Sequence, residues 1–271
     1  MVRVLITGNK GFIGSYVMKL FPNAIGYDRK NGQDILNYSQ LHRVIERNKV
    51  DTIIHLAALV AIPEGEEQPF EYIQNNVQGT MNVIDIALKT GVKKIVYASS
   101  SASYEPSSSV YAFTKYAPEL LLDHYKHKIE TVALRFFNVY GKGSNPAYSR
   151  VIDAFIEGIR DKGEINIYGD GFQSRDFIHV ADIARAIKQV VDISIPTGTV
   201  MDLGTGHSVS VNWLAGYIAG LMNKDPKINY LPAREEVKHS KADITKMKDN
   251  LLFTPEITLQ EGLEKLIMET I

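Results

Sequence analysis

Between residues 2 and 136, short apolar runs alternate with segments of helical periodicity, and no other feature restricts the fold as much. Strand-like runs fall at residues 2–7, 24–27, 52–56, 94–98 and 130–136, with helical patterns at 12–20, 41–47, 75–89 and 111–126. Apolar strands separated by helices predict a parallel sheet covered on both faces. After Gly141 the texture changes. A loop, G-K-G-S-N-P, precedes a helix at 151–160, a strand at 164–168 and a G-D-G turn. Further helices are predicted at 182–191, 211–221 and 259–268, with the strand-like V-M-D-L-G after the first of them.

The first strand runs into T-G-N-K-G-F-I-G, in which Gly8, Gly11 and Gly14 are spaced by three. Glycines at a strand-to-helix turn let a pyrophosphate approach the backbone, and the helix N-terminus offers its N–H groups. The spacing is G-x-x-G-x-x-G, and a tight turn packed on the sheet accounts for it equally well in isolation. Asp28 follows the second strand at the distance expected of a carboxylate that binds an adenosine ribose, a role that favours NAD over NADP. Its alternative is a turn aspartate ahead of R-K-N-G. Asp34, in G-Q-D-I, is a candidate partner for the adenine amino group or else a solvated loop residue. The cofactor set also takes in Phe12 and Ile13, between the glycines, and Ile35.

These features predict an α/β chain with a Rossmann-type doubly wound parallel sheet and a smaller C-terminal α/β substrate lobe. The expected bounds are 1–143 with 176–204 for the dinucleotide-binding domain, and 144–175 with 205–271 for the lobe.

The fourth strand ends in Ser99, Ser100 and Ser101, and Tyr111 and Lys115 follow, four residues apart on one helix face. Neither phenol nor ammonium is a base at neutral pH, but a lysine cation and a bound nicotinamide both stabilise a phenolate. Ligands bind at the carboxyl ends of strands in such sheets, where these serines stand. Y-x-x-x-K alone is commonly an exposed helical pair. The combination with the serines is the specific signal.

T-G-N-K-G-F-I-G, H-L-A-A, N-N-V-Q-G-T, Y-A-S-S-S-A-S-Y, Y-A-F-T-K and L-R-F-F-N-V-Y-G resemble the extended short-chain dehydrogenase/reductases from Met1 to the final helix. Y-G-D-G-F-Q-S-R-D-F-I-H-V-A-D-I resembles their nucleotide-sugar epimerase/dehydratase branch, typified by UDP-glucose 4-epimerase. The resemblance implies bound NAD, Tyr111 as acid/base, Lys115 on the nicotinamide ribose and Ser100 as the hydrogen-bonding serine. Leu56, Ala57, Ala58 and Ser99 would line the cofactor, with Asn76 bracing that region. Asn138 and Arg175 would hold the diphosphate of a nucleotide-sugar, UDP-linked by resemblance, with Tyr168 near the base and Arg234 as a second phosphate ligand. A turn cap, ion pairs with Asp170 or Asp176, strand packing and a solvated surface are their respective alternatives.

Dehydratases of this family carry Asp and Glu directly after the serine or threonine, decarboxylating relatives use a glutamate there, and the 3,5-epimerases use a cysteine. Here those positions are Ser101 and Ala102, and the chain has no cysteine. A 4-epimerase is therefore expected, with a 4-ketosugar reductase and a non-catalytic dinucleotide sensor as rivals. Only six residues separate Tyr104 from Tyr111, too few for the longer loop that walls the sugar pocket in relatives.

Lys plus Arg number 30 against 31 for Asp plus Glu, a balance with no pull toward nucleic acid or acidic membranes. No apolar run approaches ~20 residues, so no membrane span is expected, and the expectation is a soluble cytoplasmic protein. His124 and His127 lack the partners a metal site needs, so no metal is expected. The resemblance implies a homodimer through the helices beginning near Asn75 and Tyr111.

Overall fold

The computed structural model describes residues 2–143, 151–234 and 237–270. The S-N-P part of the expected loop, and residues 235 and 236 just after Arg234, lie outside the described residues. The chain divides into two compact units. The first comprises Met1–Phe136, Ile183–Leu203 and Thr245–Phe253; the second comprises Phe137–Asp182, Gly204–Ile244 and Thr254–Ile271. Residues 137–143, 176–182 and 204 thus fall in the second unit and 245–253 in the first, unlike the expected bounds.

The chain begins β1 (Val4–Thr7), α1 (Phe12–Leu20), β2 (Ile25–Tyr27), α2 (Tyr38–Asn48) and β3 (Thr52–His55). Two short helices, α3 (Ile62–Glu67) and α4 (Pro69–Tyr72), lead through a wide turn at Ile73–Gln78 into α5 (Gly79–Thr90). Then come β4 (Lys94–Ser100), a tight turn at Ser101–Tyr104, α6 (Val110–Tyr125) and β5 (Glu130–Phe136). Next are β6 (Asn138–Tyr140), α7 (Val151–Glu157), β7 (Glu164–Tyr168), β8 (Ser174–His179), α8 (Val180–Asp192) and β9 (Thr199–Leu203). The remainder is β10 (Ser208–Ser210), α9 (Val211–Leu221), β11 (Lys227–Leu231), β12 (His239–Ser240), α10 (Thr245–Leu251) and α11 (Leu259–Met268).

The sheet of the first unit has the order β2-β1-β3-β4-β5-β9, and every pairing in it is parallel. Its direction of growth reverses between β1 and β3, the switch point at which such sheets bind ligands beyond their strand ends. Strands β1 and β3 are buried along their whole length, as the apolar runs require of strands covered on both faces. One face packs Leu5, Ile53, Ile95 and Ala133 against Leu41, Ile45, Val83, Ile86 and Leu122. On the helices expected to pair two copies, Val83, Ile84 and Leu122 are core residues, whereas Leu120 is exposed.

The second unit holds a small sheet of β10-β8-β12, with β6 also paired to β8, and a separate β11–β7 pair. Its core gathers Ile152, Phe155, Ile165, Phe177, Leu214, Ile218 and Leu263. Asp176, completely buried, holds that unit's loop after β9. Its carboxylate accepts from Thr205 N at 2.9 Å, Thr205 Oγ1 at 2.6 Å, Gly206 N at 2.8 Å and Ala242 N at 3.2 Å.

Candidate active site

The turn after β1 is built for close approach. Gly8 has φ +69°, and a Cβ there would lie 2.8 Å from Ala57 N, just beyond β3. At Gly14 a Cβ would fall 2.1 Å from the Gly8 carbonyl oxygen. No side chain caps α1, which opens at Phe12 and Ile13, and the buried amide oxygen of Asn9 has no protein partner. Thr7 Oγ1 accepts from Leu56 N and Ala57 N, each at 3.2 Å, which sets the backbone from Leu56 to Ala58 beside the glycines. An uncapped helix end behind a turn that glycines keep open at Gly8 and Gly11 fits a pyrophosphate.

Asp28 sits at the edge of this turn, and its two carboxylate oxygens accept from Lys10 N and Lys30 N, both at 2.9 Å. It therefore caps the turn at Arg29–Asn31, as the plainer reading expects. Each oxygen keeps a further lone pair for a ribose hydroxyl. Asp34 pairs with Arg29 Nε at 2.9 Å and accepts from Leu36 N at 2.8 Å, so its carboxylate already serves its own loop. Ile35 is a core side chain, 3 % exposed, packed where a Cβ on Gly79 would stand. Any contact it makes with a cofactor is left to its backbone.

Asn76 is buried, and its amide exchanges hydrogen bonds with the backbone of Leu59 and donates to Thr114 Oγ1 at 3.0 Å. Its side chain braces the segment after β3 against α6 and does not face a ligand. Ser99, expected to line the cofactor, also has its side chain inside the fold. Its hydroxyl is buried, donates to Glu119 Oε1 and meets Ser103 Oγ at 3.0 Å, because the alternation along β4 turns it toward α6.

Ser100, the last residue of β4, is partly exposed, and its Oγ accepts from Ala102 N at 3.2 Å, which caps the turn at Ser101–Tyr104. Ser109 caps α6 by accepting from Ala112 N at 3.1 Å, and Glu66 fixes Val110 N at 2.8 Å. Tyr111 thus enters on the first turn of a well-anchored helix, partly exposed. One turn later Lys115 is 4 % exposed, donates to the Ala98 carbonyl and lies 4.6 Å from the Tyr97 ring centroid. Burial pulls its ammonium down to about 7, and the charge of Glu119 pulls the other way. The cation is therefore poised near neutral pH beside a tyrosine.

Glu119, Arg135, Tyr104 and Asp202 were not singled out from the sequence. Glu119 is 4 % exposed and receives Arg135 through Nε at 3.0 Å and Nη2 at 2.7 Å. Arg135 in turn lies 4.4 Å from the Tyr104 ring centroid. The four-residue spacing Tyr111, Lys115, Glu119 was the available signal for the first of them.

In the second unit Asn138 Nδ2 donates to the Asp176 carbonyl at 3.0 Å, tying β6 to β8. Arg175 is half-buried and donates to the Ser174 carbonyl at 2.9 Å. Arg234 stacks 3.3 Å from the Tyr168 ring centroid, so these two candidates do come together. Among the described residues no group of three His, Cys, Asp or Glu could hold a metal ion, and no helix is long and apolar enough to cross a membrane.

A buried lysine one turn from a tyrosine, at the carboxyl edge of a parallel sheet with a glycine turn, is the working arrangement of the short-chain dehydrogenase/reductases. The chain belongs to the NAD dependent epimerase/dehydratase family, whose model matches residues 4–204, and its cofactor is NAD. It is 32 % identical to the UDP-glucuronate 4-epimerase of Thermodesulfobacterium geofontis strain OPF15, over 97 % of this chain and 94 % of that one. It is 28 % identical to the UDP-N-acetyl-alpha-D-glucosaminuronate decarboxylase of Bacillus cytotoxicus, over 98 % and 96 %. The structure of the UDP-glucose 4-epimerase of Thermotoga maritima with UDP-glucose matches with TM-score 0.91 and 26 % identity, over 99 % and 98 % of the two chains. The alignment with the Thermodesulfobacterium protein runs over 309 positions against a chain of 271 residues, so that relative carries segments absent here.

Proposed function

We propose that the protein is a nucleotide-sugar 4-epimerase acting on a UDP-linked hexose or hexuronate. One observation carries the choice among the family's reactions. The turn after β4 offers a hydroxyl at Ser101 and a methyl at Ala102, and no carboxylate, where elimination or decarboxylation needs a second acid/base. Further along the turn, the polar groups of Ser103 and Tyr104 bond to Ser99 and Asp202. What remains is proton transfer at a single hydroxyl.

NAD, when bound, supplies a hydride acceptor and donor at C4 of the sugar. Gly8, Gly11 and Gly14, with the N-terminus of α1 and Asp28, would hold its adenosine half. Tyr111 Oη takes the proton of the C4 hydroxyl, and Ser100 Oγ orients that hydroxyl. Lys115 stabilises the phenolate form of Tyr111 through its charge. Tyr111 returns the proton once the 4-keto sugar has presented its other face. Arg175, Asn138, Tyr168 and Arg234 are the candidate holders of the diphosphate and base, a guanidinium being suited to two phosphate oxygens at once. Two copies are expected to pair through α6, which exposes Phe113 and Leu120.

The test is turnover with UDP-glucose, UDP-galactose and UDP-glucuronate, followed by NMR at C4, with Tyr111→Phe as the control. Inversion without net NADH, abolished in Tyr111→Phe, supports the epimerase. Stoichiometric NADH consumption with a 4-keto sugar nucleotide, and no inversion, would make it a reductase.

A further inference from the structure

Glu119 lies two turns beyond Tyr111 and one beyond Lys115 on a single stripe of α6. It is a buried carboxylate, and a buried charge survives only where partners and hydrogen bonds replace water. Both replacements are present. Arg135 on β5 meets it with two nitrogens, at 3.0 and 2.7 Å, and Ser99 on β4 donates to it. The arm continues, since Tyr104 covers the Arg135 guanidinium and donates to Asp202 on β9.

We propose that Glu119 is a positioning residue of the active site: braced by Arg135 and Ser99, its carboxylate supplies the fixed negative charge that holds Lys115 as an ammonium beside Tyr111. This rests on the epimerase reading for its catalytic consequence, but not for its electrostatic one. The groups facing Lys115 are few. Tyr97 of β4 presents a buried ring whose phenol burial keeps well above its usual range. His55 of β3 is held neutral by burial, down at about 3. Tyr111 and Glu119 share its helix. Of these, Glu119 alone is an anion at rest, and its field opposes the desolvation that drives Lys115 toward the neutral amine. Arg135 is set one group further out, so the pair does not simply cancel at Lys115.

The test reads the lysine directly in the NAD-bound protein. The titration of Lys115 is followed by NMR of ε-13C-lysine, with Lys115→Met to identify the signal, in the wild type, Glu119→Gln and Arg135→Gln. Expected is a fall of about one pH unit or more in Glu119→Gln and a rise in Arg135→Gln, because the second leaves the carboxylate without its counter-charge. In activity, the alkaline limb of kcat should move the same two ways, with KM for the sugar within about threefold. If Glu119→Gln does not fold, the Arg135→Gln shift and a Glu119→Asp variant retaining the wild-type titration carry the decision. A Lys115 midpoint unmoved in both charge variants, or moved the same way in both, overturns the proposal. Wild-type protein without C4 inversion would instead sink the epimerase reading and leave the titration result standing.

Discussion

Tyr104 donates its hydroxyl to the Asp202 carboxylate, at 3.0 and 3.1 Å from its two oxygens, across 98 residues of sequence. The contact pins the end of the serine turn to β9, so the six residues from there to Tyr111 are anchored at both ends although the loop is short.

Tyr104→Phe removes the donor and leaves Asp202, 4 % exposed, without its phenol. A buried acceptor losing a partner costs about 1–3 kcal/mol. Expected is a loss in that range by urea unfolding, with a larger fall in kcat than in NAD content of the purified protein.

The glycine turn gives a pair of opposite outcomes. In Gly14→Ala the new methyl meets the Gly8 carbonyl at 2.1 Å, which only a backbone shift relieves. The purified variant should lack NAD and lose about 2 kcal/mol or more of stability. Gly216, inside α9, leaves open space within 4 Å of where an alanine methyl would stand, and Gly216→Ala should gain up to about 1 kcal/mol with NAD content unchanged. Thermal unfolding and cofactor absorbance check both.

His55 sets part of the acid stability. It is bonded to Thr7 Oγ1 at 2.7 Å and Thr80 Oγ1 at 3.0 Å, and burial lowers it from 6.5 to about 3. Between those values the unfolded chain binds the extra proton, so stability is full above about 6.5 and is lost as pH falls toward 3. The slope from this one group approaches 1.4 kcal/mol per pH unit. His55→Gln should unfold more gradually with acid than the wild type in a pH series of urea melts, even if it starts less stable.

In the second unit, Asp176→Asn would turn an amide N–H₂ toward backbone donors that now point at a carboxylate, Gly206 N and Ala242 N among them. A loss of about 2–4 kcal/mol is expected. Hydrogen exchange at residues 204–206 should rise in that variant.

The first unit was largely legible because its strands are buried on both faces and read as apolar runs, as at Val4–Thr7 and Thr52–His55. Strands β8, β10, β11 and β12 were not. They carry Arg175, Asp176, Ser208, Lys227 and Asn229, and pair only in small sheets with partners distant in sequence. Helix α10 escaped notice as well. At the site, the glycines, the serines ending β4, Tyr111 and Lys115 stood out because local spacing carries their geometry, and the resemblance singled out Ser100 among the serines. Glu119 and Asp202 did not, since nothing local shows that β5 and β9 bring Arg135 and Asp202 together around Tyr104. Ser99 belongs to a recognisable motif, yet strand alternation turns its hydroxyl inward, and Ile35, on the turn before α2, packs into the core.

The most direct test is C4 inversion by the purified protein without added cofactor, followed by NMR on UDP-glucose, UDP-galactose and UDP-glucuronate while NADH absorbance is recorded. Expected is interconversion of at least one pair of C4 epimers with no net NADH, lost at least about a thousandfold in Tyr111→Phe with NAD still bound. Elimination or carbon dioxide release from any of these sugars, or NADH accumulating in step with product, would contradict it.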